Sequence, residues 1–335
     1  MPLLRRPGLS NRSTGTQRTM CFFTYKLRGF EDGNASAYLG GDSSGGGAAL
    51  SPTLTPASAS AAPRSAGGRA GQPGFFDHPI EGLRNFRDIG LFSSSIRPGV
   101  AYRSDHPRDM TGTGAATLTR TCHTVINLCS REETWAGDDT PYDQMLAAHG
   151  IRAIDAGIKS AGHAFTLYTE GPEGKRKAYS AMLGDAAVVA CFRQALLLFA
   201  EEPEALPAVF HCHSGLDRTG LLSMLCLLAV GASRSEIVAD YAASSTTRFN
   251  GTARQQLDDH LIKAKDDRLA QLGVTKGTFL FGSSAQTMEG MLTWLDEQHG
   301  SAEHVLTSAR GVGLTAGQLA ALRVALSPSS SDAKL

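Results

Sequence analysis

The sequence predicts an α/β fold with additional helices at its C-terminal end. Three observations support this class: short β-branched apolar runs alternate with amphipathic stretches, a glycine-containing loop joins one such run to an apolar helix, and the last part of the chain has helical patterns. The chain has 335 residues with 32 basic and 32 acidic side chains, a balance that excludes an overall basic protein coating nucleic acid or an anionic membrane. No apolar run reaches the length that spans a bilayer.

The predicted elements follow one another along the second part of the chain. A turn-rich opening from 74 to 88 precedes a buried strand at His123–Leu128 and a short strand at Ile151–Asp155. Apolar residues then recur every three or four positions from Arg176 to Ala200, which predicts one amphipathic helix. The later elements are a strand at Ala208–Phe210, a helix at Leu221–Val230 ended by Gly231, a helix from Ser233 with a capping box to Glu236, a polar helix at Thr252–Leu272, a helix at Ala285–Gln298 and a last helix from about Thr315.

The first 73 residues differ from the rest in composition. They hold eight basic and three acidic residues, whereas residues 74–335 hold 24 and 29. From 33 to 73, 32 of 41 residues are Gly, Ala, Ser, Pro or Thr, so burial cannot offset the entropy of ordering. We therefore predict a disordered N-terminal extension over 1–73 and one domain over 74–335. The basic start of this extension resembles an organelle transit peptide, with an untargeted tail as the alternative.

The cysteines are scattered and show no metal-binding spacing. They lie at positions 21, 122, 129, 191, 212 and 226. Such a pattern in a long chain fits a reducing compartment, so we expect a cytoplasmic protein. We also expect it to use neither a metal nor a cofactor. All of them except Cys212 are expected to be small buried hydrophobic residues.

The segment from His211 to Gly220, with the sequence HCHSGLDRTG, has the strongest chemical signal. It leads from a predicted strand into a predicted helix, so successive backbone N–H groups of the loop converge and bind an anion. Arg218 adds a planar pair of donors for two anion oxygens. The same positive field favours the thiolate form of Cys212, a nucleophile for the phosphorus of a bound ester.

This arrangement predicts a two-step phosphoryl transfer. Cys212 takes the phosphoryl group and releases the alcohol, and water then hydrolyses the cysteinyl phosphate. Asp217 is the first candidate for the general acid that protonates the leaving oxygen, and Asp155 is the alternative. The residues expected to bind the phosphate are His213, Ser214, Gly215, Leu216, Asp217 and Arg218.

Other side chains have both a functional and a structural interpretation. Thr219 is expected to donate its hydroxyl to the Cys212 sulfur, and His211 to orient the loop through its ring. Arg87 and Arg103 are candidate substrate-binding residues, although arginines in turns are usually structural or solvated. A glycine-containing stretch, 156–174, with lysines such as Lys175 nearby, is either a substrate lid or a solvated loop.

Several ordered motifs resemble the bacterial-type tyrosine phosphatase family of the cysteine-dependent C-x5-R superfamily. The resemblance spans about 81–326 and implies a central, mostly parallel sheet flanked by helices, with the anion-binding loop at its centre. It also implies that the general acid is the loop aspartate, here Asp217. The matching segments are Asn85–Gly90 (family NFRDLG), Tyr102–Ser104 (YRS), Ile126–Glu133 (IDLRxxxE), His211–Gly220 (HCxxGKDRTG) and Glu236–Tyr241 in the helix that follows the loop.

Two positions depart from the family pattern. Leu216 stands where the family usually has Lys, a cation associated with phosphoinositide substrates, and its absence weakens the lipid-phosphatase interpretation. Cys129 stands where the strand motif usually has Arg, with Arg131 two places on.

The sequence therefore predicts a metal-independent protein tyrosine phosphatase, with dual specificity as an extension, that acts on a phosphorylated protein or a small phosphate ester. A phosphoinositide or small-molecule phosphatase is the nearest alternative. A phosphate-binding module without turnover is less favoured because Cys212, Asp217, Arg218 and Thr219 are all present. A thiol redox enzyme would need a resolving cysteine near the nucleophile, and Cys226 lies two turns down the next helix.

Overall fold

The computed structural model describes residues 80–130, 140–158, 167, 170–247 and 282–329, all of which belong to one compact unit. The predicted extension over 1–73, the boundary at 74, the polar helix at 252–272 and Arg131 lie outside the described residues.

A sheet of five strands in the order β1-β2-β5-β3-β4 forms the centre of this unit. β5 pairs in parallel with both β2 and β3, β4 pairs in parallel with β3, and β1 is an antiparallel edge strand. The predicted α/β class with a mostly parallel sheet is therefore confirmed. The strands are β1 (Arg87–Asp88), β2 (Ala101–Ser104), β3 (Thr124–Cys129), β4 (Arg152–Ile158) and β5 (Ala208–His211).

The helices cover both faces of the sheet because successive strand residues point to opposite sides. In β5, Phe210 belongs to the larger hydrophobic core, while the neighbouring Val209 belongs to a smaller cluster on the other side. The helices are α1 (Gly112–Thr121), α2 (Thr140–Ala148), α3 (Gly171–Gly184), α4 (Ala186–Glu201), α5 (Asp217–Ala229), α6 (Arg234–Thr247), α7 (Ala285–His299), α8 (Ala302–Thr307) and α9 (Ala316–Leu326). The additional C-terminal helices α7 to α9 contribute to the larger core.

The prediction of one helix over Arg176–Ala200 is wrong, because two helices, α3 and α4, occupy this region. Asp185 interrupts the chain between them, and its side chain caps α4 by accepting hydrogen bonds from the backbone N–H groups of Ala187 and Val188 at 2.8 and 3.4 Å. Within the described ranges no single helix has the length and apolar composition to cross a membrane, and α3 with α4 meets those criteria only as a pair bent by 79°.

The predicted boundary between the two helices that follow the loop is confirmed. Gly231 has a positive φ of 74°, as a left-handed cap requires. Ser233 and Glu236 exchange the two bonds of a capping box at the start of α6. The end of α6 is fastened to the start of the C-terminal helices by Ser245, whose hydroxyl accepts from the Ser283 N–H at 2.9 Å and donates to the Ser283 carbonyl at 2.8 Å. We call this pair the serine clasp.

Candidate active site

The predicted anion-binding loop lies at the carboxyl end of the central strand. β5 ends at His211, α5 begins at Asp217, and the loop 212–216 connects them. Ligands of open parallel sheets bind at this edge, and the first turn of α5 directs its unpaired N–H groups toward the loop. Cys212 is a free thiol with 2% of its surface exposed, and it lies in the loop that leads into this positive helix end, with little contact with bulk water.

Arg218 lies in the first turn of α5 and is fixed by the ends of two neighbouring strands. Its Nη1 donates to the carbonyl oxygens of Leu128 in β3 and Ile158 in β4, at 3.2 and 3.1 Å. These bonds place the guanidinium at the same edge of the sheet as the loop, six positions after Cys212. The arginine is therefore held in place before any anion binds.

Gly215 adopts a backbone conformation that a larger residue would not tolerate. Its φ is +65°, and a Cβ atom would lie 2.4 Å from the Ser104 carbonyl oxygen. Its own carbonyl accepts hydrogen bonds from Asn85 Nδ2 and Arg103 Nη2, both at 2.9 Å. Because a trans peptide places C=O and the next N–H on opposite sides, these two donors turn the following amide away from themselves.

Arg87 and Arg103, the candidate substrate-binding residues, are both buried behind the loop with no exposed side-chain surface. They are register partners in β1 and β2 and share one carboxylate, since Arg87 Nε lies 3.0 Å from Asp240 Oδ1 and Arg103 Nη1 lies 2.5 Å from Oδ2. Ser223 donates to Oδ2 of Asp240 at 2.6 Å, and Ser244 accepts from Arg87 Nη2 at 2.8 Å. This placement favours support of the loop over contact with a substrate.

The buried group of Arg87, Arg103 and Asp240 holds two cations around one carboxylate. Burial would raise the pKa of Asp240, but Arg103 and Arg87 outweigh it and hold the pKa below its ordinary value. Burial, followed by the neighbouring Arg103, lowers the pKa of Arg87 to about 9, which still leaves Arg87 protonated at neutral pH. The group is therefore ionic throughout.

Asp217, the first candidate for the general acid, opens α5 with 23% of its side chain exposed. Its Oδ1 accepts a hydrogen bond from Tyr179 Oη at 2.5 Å and lies 3.0 Å from Lys175 Nζ. Asp155, the alternative, is exposed in β4 and lies two strands away from His211, about 10 Å by strand spacing. The geometry therefore favours Asp217.

Thr219 and His211 lie on either side of the nucleophile in the sequence, and both are fully buried. The Thr219 hydroxyl has no hydrogen-bond partner among the described residues, an arrangement that suits a donor to a group bound in the loop. His211 Nε2 lies 3.3 Å from the Tyr142 hydroxyl. Burial, with His106 as the next cause, lowers the pKa of His211 well below its ordinary value, so its ring is neutral and suited to orienting the loop.

Within the described ranges, one cluster has the composition of a metal site. His106, Cys129 and His211 each offer a ligand atom within 4.8 Å of the others. Tyr142 already engages the His211 ring, and the His106 and His211 rings pack edge to face at 5.0 Å. We therefore interpret this cluster as packing behind the loop and assign no metal to it.

Lys175 and Tyr179 were missed as site residues by the sequence analysis, which placed Lys175 beside a candidate lid or solvated loop. Both lie on α3, four positions apart and therefore on one helix face. The Lys175 side chain is completely buried, and Tyr179 Oη also lies 2.7 Å from Tyr241 Oη. Their i, i+4 spacing is a weak signal, because the partner Asp217 is 38 positions from Tyr179 in the chain.

Comparison with known proteins places most of the chain in one family. Residues 78–327 match the model of the tyrosine phosphatase family. The triple specificity protein phosphatase PtpB of Mycobacterium tuberculosis is 30% identical over 253 residues, which cover 66% of this chain and 90% of PtpB. Among solved structures, the core catalytic domain of a PP-IP phosphatase from S. cerevisiae, in complex with citrate, aligns with a TM-score of 0.33 and 16% identity over 56% of this chain and 94% of that one.

The family match covers nearly all of the described residues and contains the complete loop with its cysteine, aspartate and arginine. The chain therefore belongs to the tyrosine phosphatase family and is a phosphoric monoester hydrolase.

Proposed function

We propose that this protein dephosphorylates phosphotyrosine in proteins, through a cysteinyl-phosphate intermediate on Cys212. The observation that carries the proposal is the placement of the Cys212 thiol before the N-terminus of α5, where Asp217 and the sheet-bound Arg218 follow it. A nucleophile, a proton donor and a fixed pair of anion donors thus occupy one loop and one helical turn.

In the first step the Cys212 sulfur attacks phosphorus, and the S–P bond forms as the P–O bond to the leaving group breaks. Asp217 gives its proton to the leaving oxygen, so the phenol departs neutral. Backbone amides of 213–217 and the Arg218 guanidinium stabilise the charge on the transferring group.

In the second step a water molecule attacks phosphorus and the S–P bond breaks. The Asp217 carboxylate now takes the proton from this water, which restores the acid for the next cycle. The buried Thr219 hydroxyl donates a hydrogen bond to the departing Cys212 sulfur and makes it a better leaving group. Inorganic phosphate and the free enzyme result.

The substrate range follows from the loop and from one relative. Leu216 is a buried apolar residue, so the loop offers no cation of its own at this position. This favours phosphotyrosine over a polyanionic phosphoinositide. The relative PtpB bears the name of a triple specificity phosphatase, which extends the proposal to dual specificity and keeps the phosphoinositide as the second candidate. The free cysteines of the described residues fit a reducing compartment such as the cytoplasm.

The test is hydrolysis of para-nitrophenyl phosphate between pH 5 and 8 in the presence of EDTA. Activity should persist with EDTA and disappear in Cys212→Ser, while the matched control Cys191→Ser, a half-buried thiol on α4, should keep wild-type activity. Phosphotyrosine, phosphoserine and phosphothreonine peptides and a phosphoinositide are then compared as substrates. A folded wild-type protein that binds phosphate or vanadate and turns over none of these esters would contradict the proposal.

A further inference from the structure

Lys175 is a lysine whose side chain has no exposed surface. Its Nζ donates to the Gly282 carbonyl at 2.6 Å and lies 3.0 Å from Asp217 Oδ1. An isolated ammonium group is costly to bury, and a buried lysine persists where an opposite charge and hydrogen-bond acceptors surround it. The position of Lys175 therefore depends on Asp217.

The electrostatic surroundings keep Lys175 protonated. Burial lowers the pKa of Lys175, but Asp217, followed by Tyr241 and Cys212, outweighs burial and leaves the pKa above its ordinary value. The ammonium group is thus a fixed positive charge 3.0 Å from the carboxylate of the proton donor.

Tyr179 binds the same carboxylate oxygen from one helical turn further along α3. Its hydroxyl donates to Asp217 Oδ1 at 2.5 Å, and the Tyr241 hydroxyl lies 2.7 Å from it. Both contacts to Asp217 thus end on Oδ1, and 23% of the Asp217 side chain stays exposed. Two contacts on one oxygen fix the rotation of the carboxyl group and leave Oδ2 to hold and deliver the proton.

We propose that Lys175 and Tyr179 are positioning residues that orient Asp217 for proton transfer from Oδ2. This inference rests on the proposed function, since it assigns the proton donor of that reaction.

The first test is Tyr179→Phe, which removes the hydroxyl and keeps the ring. A proton donor matters for a poor leaving group and not for a good one, so kcat for phenyl phosphate should fall at least about tenfold, while kcat for 2,4-dinitrophenyl phosphate should stay within about twofold. Tyr102→Phe, outside the site in β2, should change neither rate. A general structural defect would lower both rates equally, and that outcome would overturn the inference.

The second test is Lys175→Met, with Lys177→Met as the matched control, because Lys177 is a half-exposed lysine on the same helix paired with Glu170. Lys175→Met should also lower the phenyl phosphate rate more than the dinitrophenyl phosphate rate, and Lys177→Met should not. If the two lysine variants behave alike, Lys175 has no special role.

A combined variant tests whether Tyr179 acts through the orientation of Asp217 or through the stability of the fold. In an Asp217→Asn background, Tyr179→Phe should have no further effect on phenyl phosphate, because the two residues act on one proton transfer. A further loss in the double variant would show that Tyr179 does not act through Asp217 and would overturn the inference.

Failure of the inference is distinguishable from failure of the proposed function. Retained activity in Cys212→Ser would end the cysteinyl-phosphate proposal itself. Loss of activity in Cys212→Ser, combined with Tyr179→Phe kinetics equal to wild type on both esters, would leave the function intact and overturn the inference alone.

Discussion

Two aspartates near the loop have similar partners but differ in exposure and in how many of their carboxylate oxygens are bound. Asp240 and Asp217 each bind at least one fully buried cation and one hydroxyl group. Asp240 has 2% of its side chain exposed, and both of its oxygens accept bonds from Arg87, Arg103 and Ser223. Asp217 has 23% of its side chain exposed, and its contacts to Tyr179 and Lys175 both end on Oδ1.

This difference distinguishes a structural carboxylate from a candidate catalytic one. A proton donor needs one oxygen that can gain and lose a proton next to the substrate, and a carboxylate with both oxygens bound to cations cannot protonate without breaking the ion pairs. Asp240 therefore holds the back of the loop through Arg103 and Gly215, whereas Asp217 keeps an oxygen available at the front.

The largest expected effect concerns stability. Asp240→Asn removes the charge shared by Arg87 and Arg103 and leaves two buried guanidinium groups uncompensated, so the free energy of unfolding should fall by about 3–5 kcal/mol. Urea denaturation followed by circular dichroism measures this loss. A change under about 1 kcal/mol would show that the buried group does not hold the fold.

The corresponding substitution at Asp217 should lower the catalytic rate. Asp217→Asn should lower kcat for phenyl phosphate at least about a hundredfold, since a positioned proton donor contributes that much. Asp217→Asn leaves one buried ammonium group without its carboxylate, but Lys175 keeps the Gly282 carbonyl as a partner, so the free energy of unfolding should fall by less than in Asp240→Asn, where two buried guanidinium groups lose theirs. Equal losses of stability in the two variants would remove the distinction between the groups.

Acid should reduce the effect of Asp240→Asn. Asp240 has a pKa below its ordinary value in the folded protein, so its contribution to stability is present above the unfolded-state pKa of about 3.9 and is lost as the pH falls below it. The difference in unfolding free energy between wild type and Asp240→Asn should therefore narrow from pH 6 to pH 3. A constant difference over this range would contradict the lowered pKa.

The smallest effect concerns the hydroxyl that completes the Asp240 group. Ser223→Ala removes a buried donor to Asp240 Oδ2 at 2.6 Å, and the loss should be about 1–3 kcal/mol of unfolding free energy. Ser180→Ala, at a partly exposed position on α3, should stay within about 0.5 kcal/mol. Comparable values for both serines would mean that Ser223 adds nothing to the group.

The sequence predicts the local parts of this site well. The strand, loop and helix around Cys212 follow from the composition of a continuous segment, and so do the positions of the nearby strands β3 and β4. The break at Asp185 was missed although Gly184 and Asp185 form an ordinary helix end followed by an N-cap, because the apolar period continues across both residues.

The site contacts that the sequence did not predict are between residues far apart in the chain. Arg87 and Arg103 belong to sequence motifs, but the motifs do not reveal their partner Asp240, which lies 153 and 137 positions away. Lys175 belongs to no motif in the sequence, and only the packing of α3 against the start of α5 brings it to Asp217. Pairings between distant elements depend on the whole fold, so single-sequence patterns do not contain them.

The serine clasp has a consequence for how the chain tolerates change. Ser245 and Ser283 are 38 positions apart, yet three hydrogen bonds join them. All three bonds end on the Ser245 hydroxyl, whereas only one of them involves the Ser283 hydroxyl. The two serines therefore tolerate substitution unequally, because Ser245→Ala would remove all three bonds, whereas Ser283→Ala would leave the two that involve the Ser283 backbone.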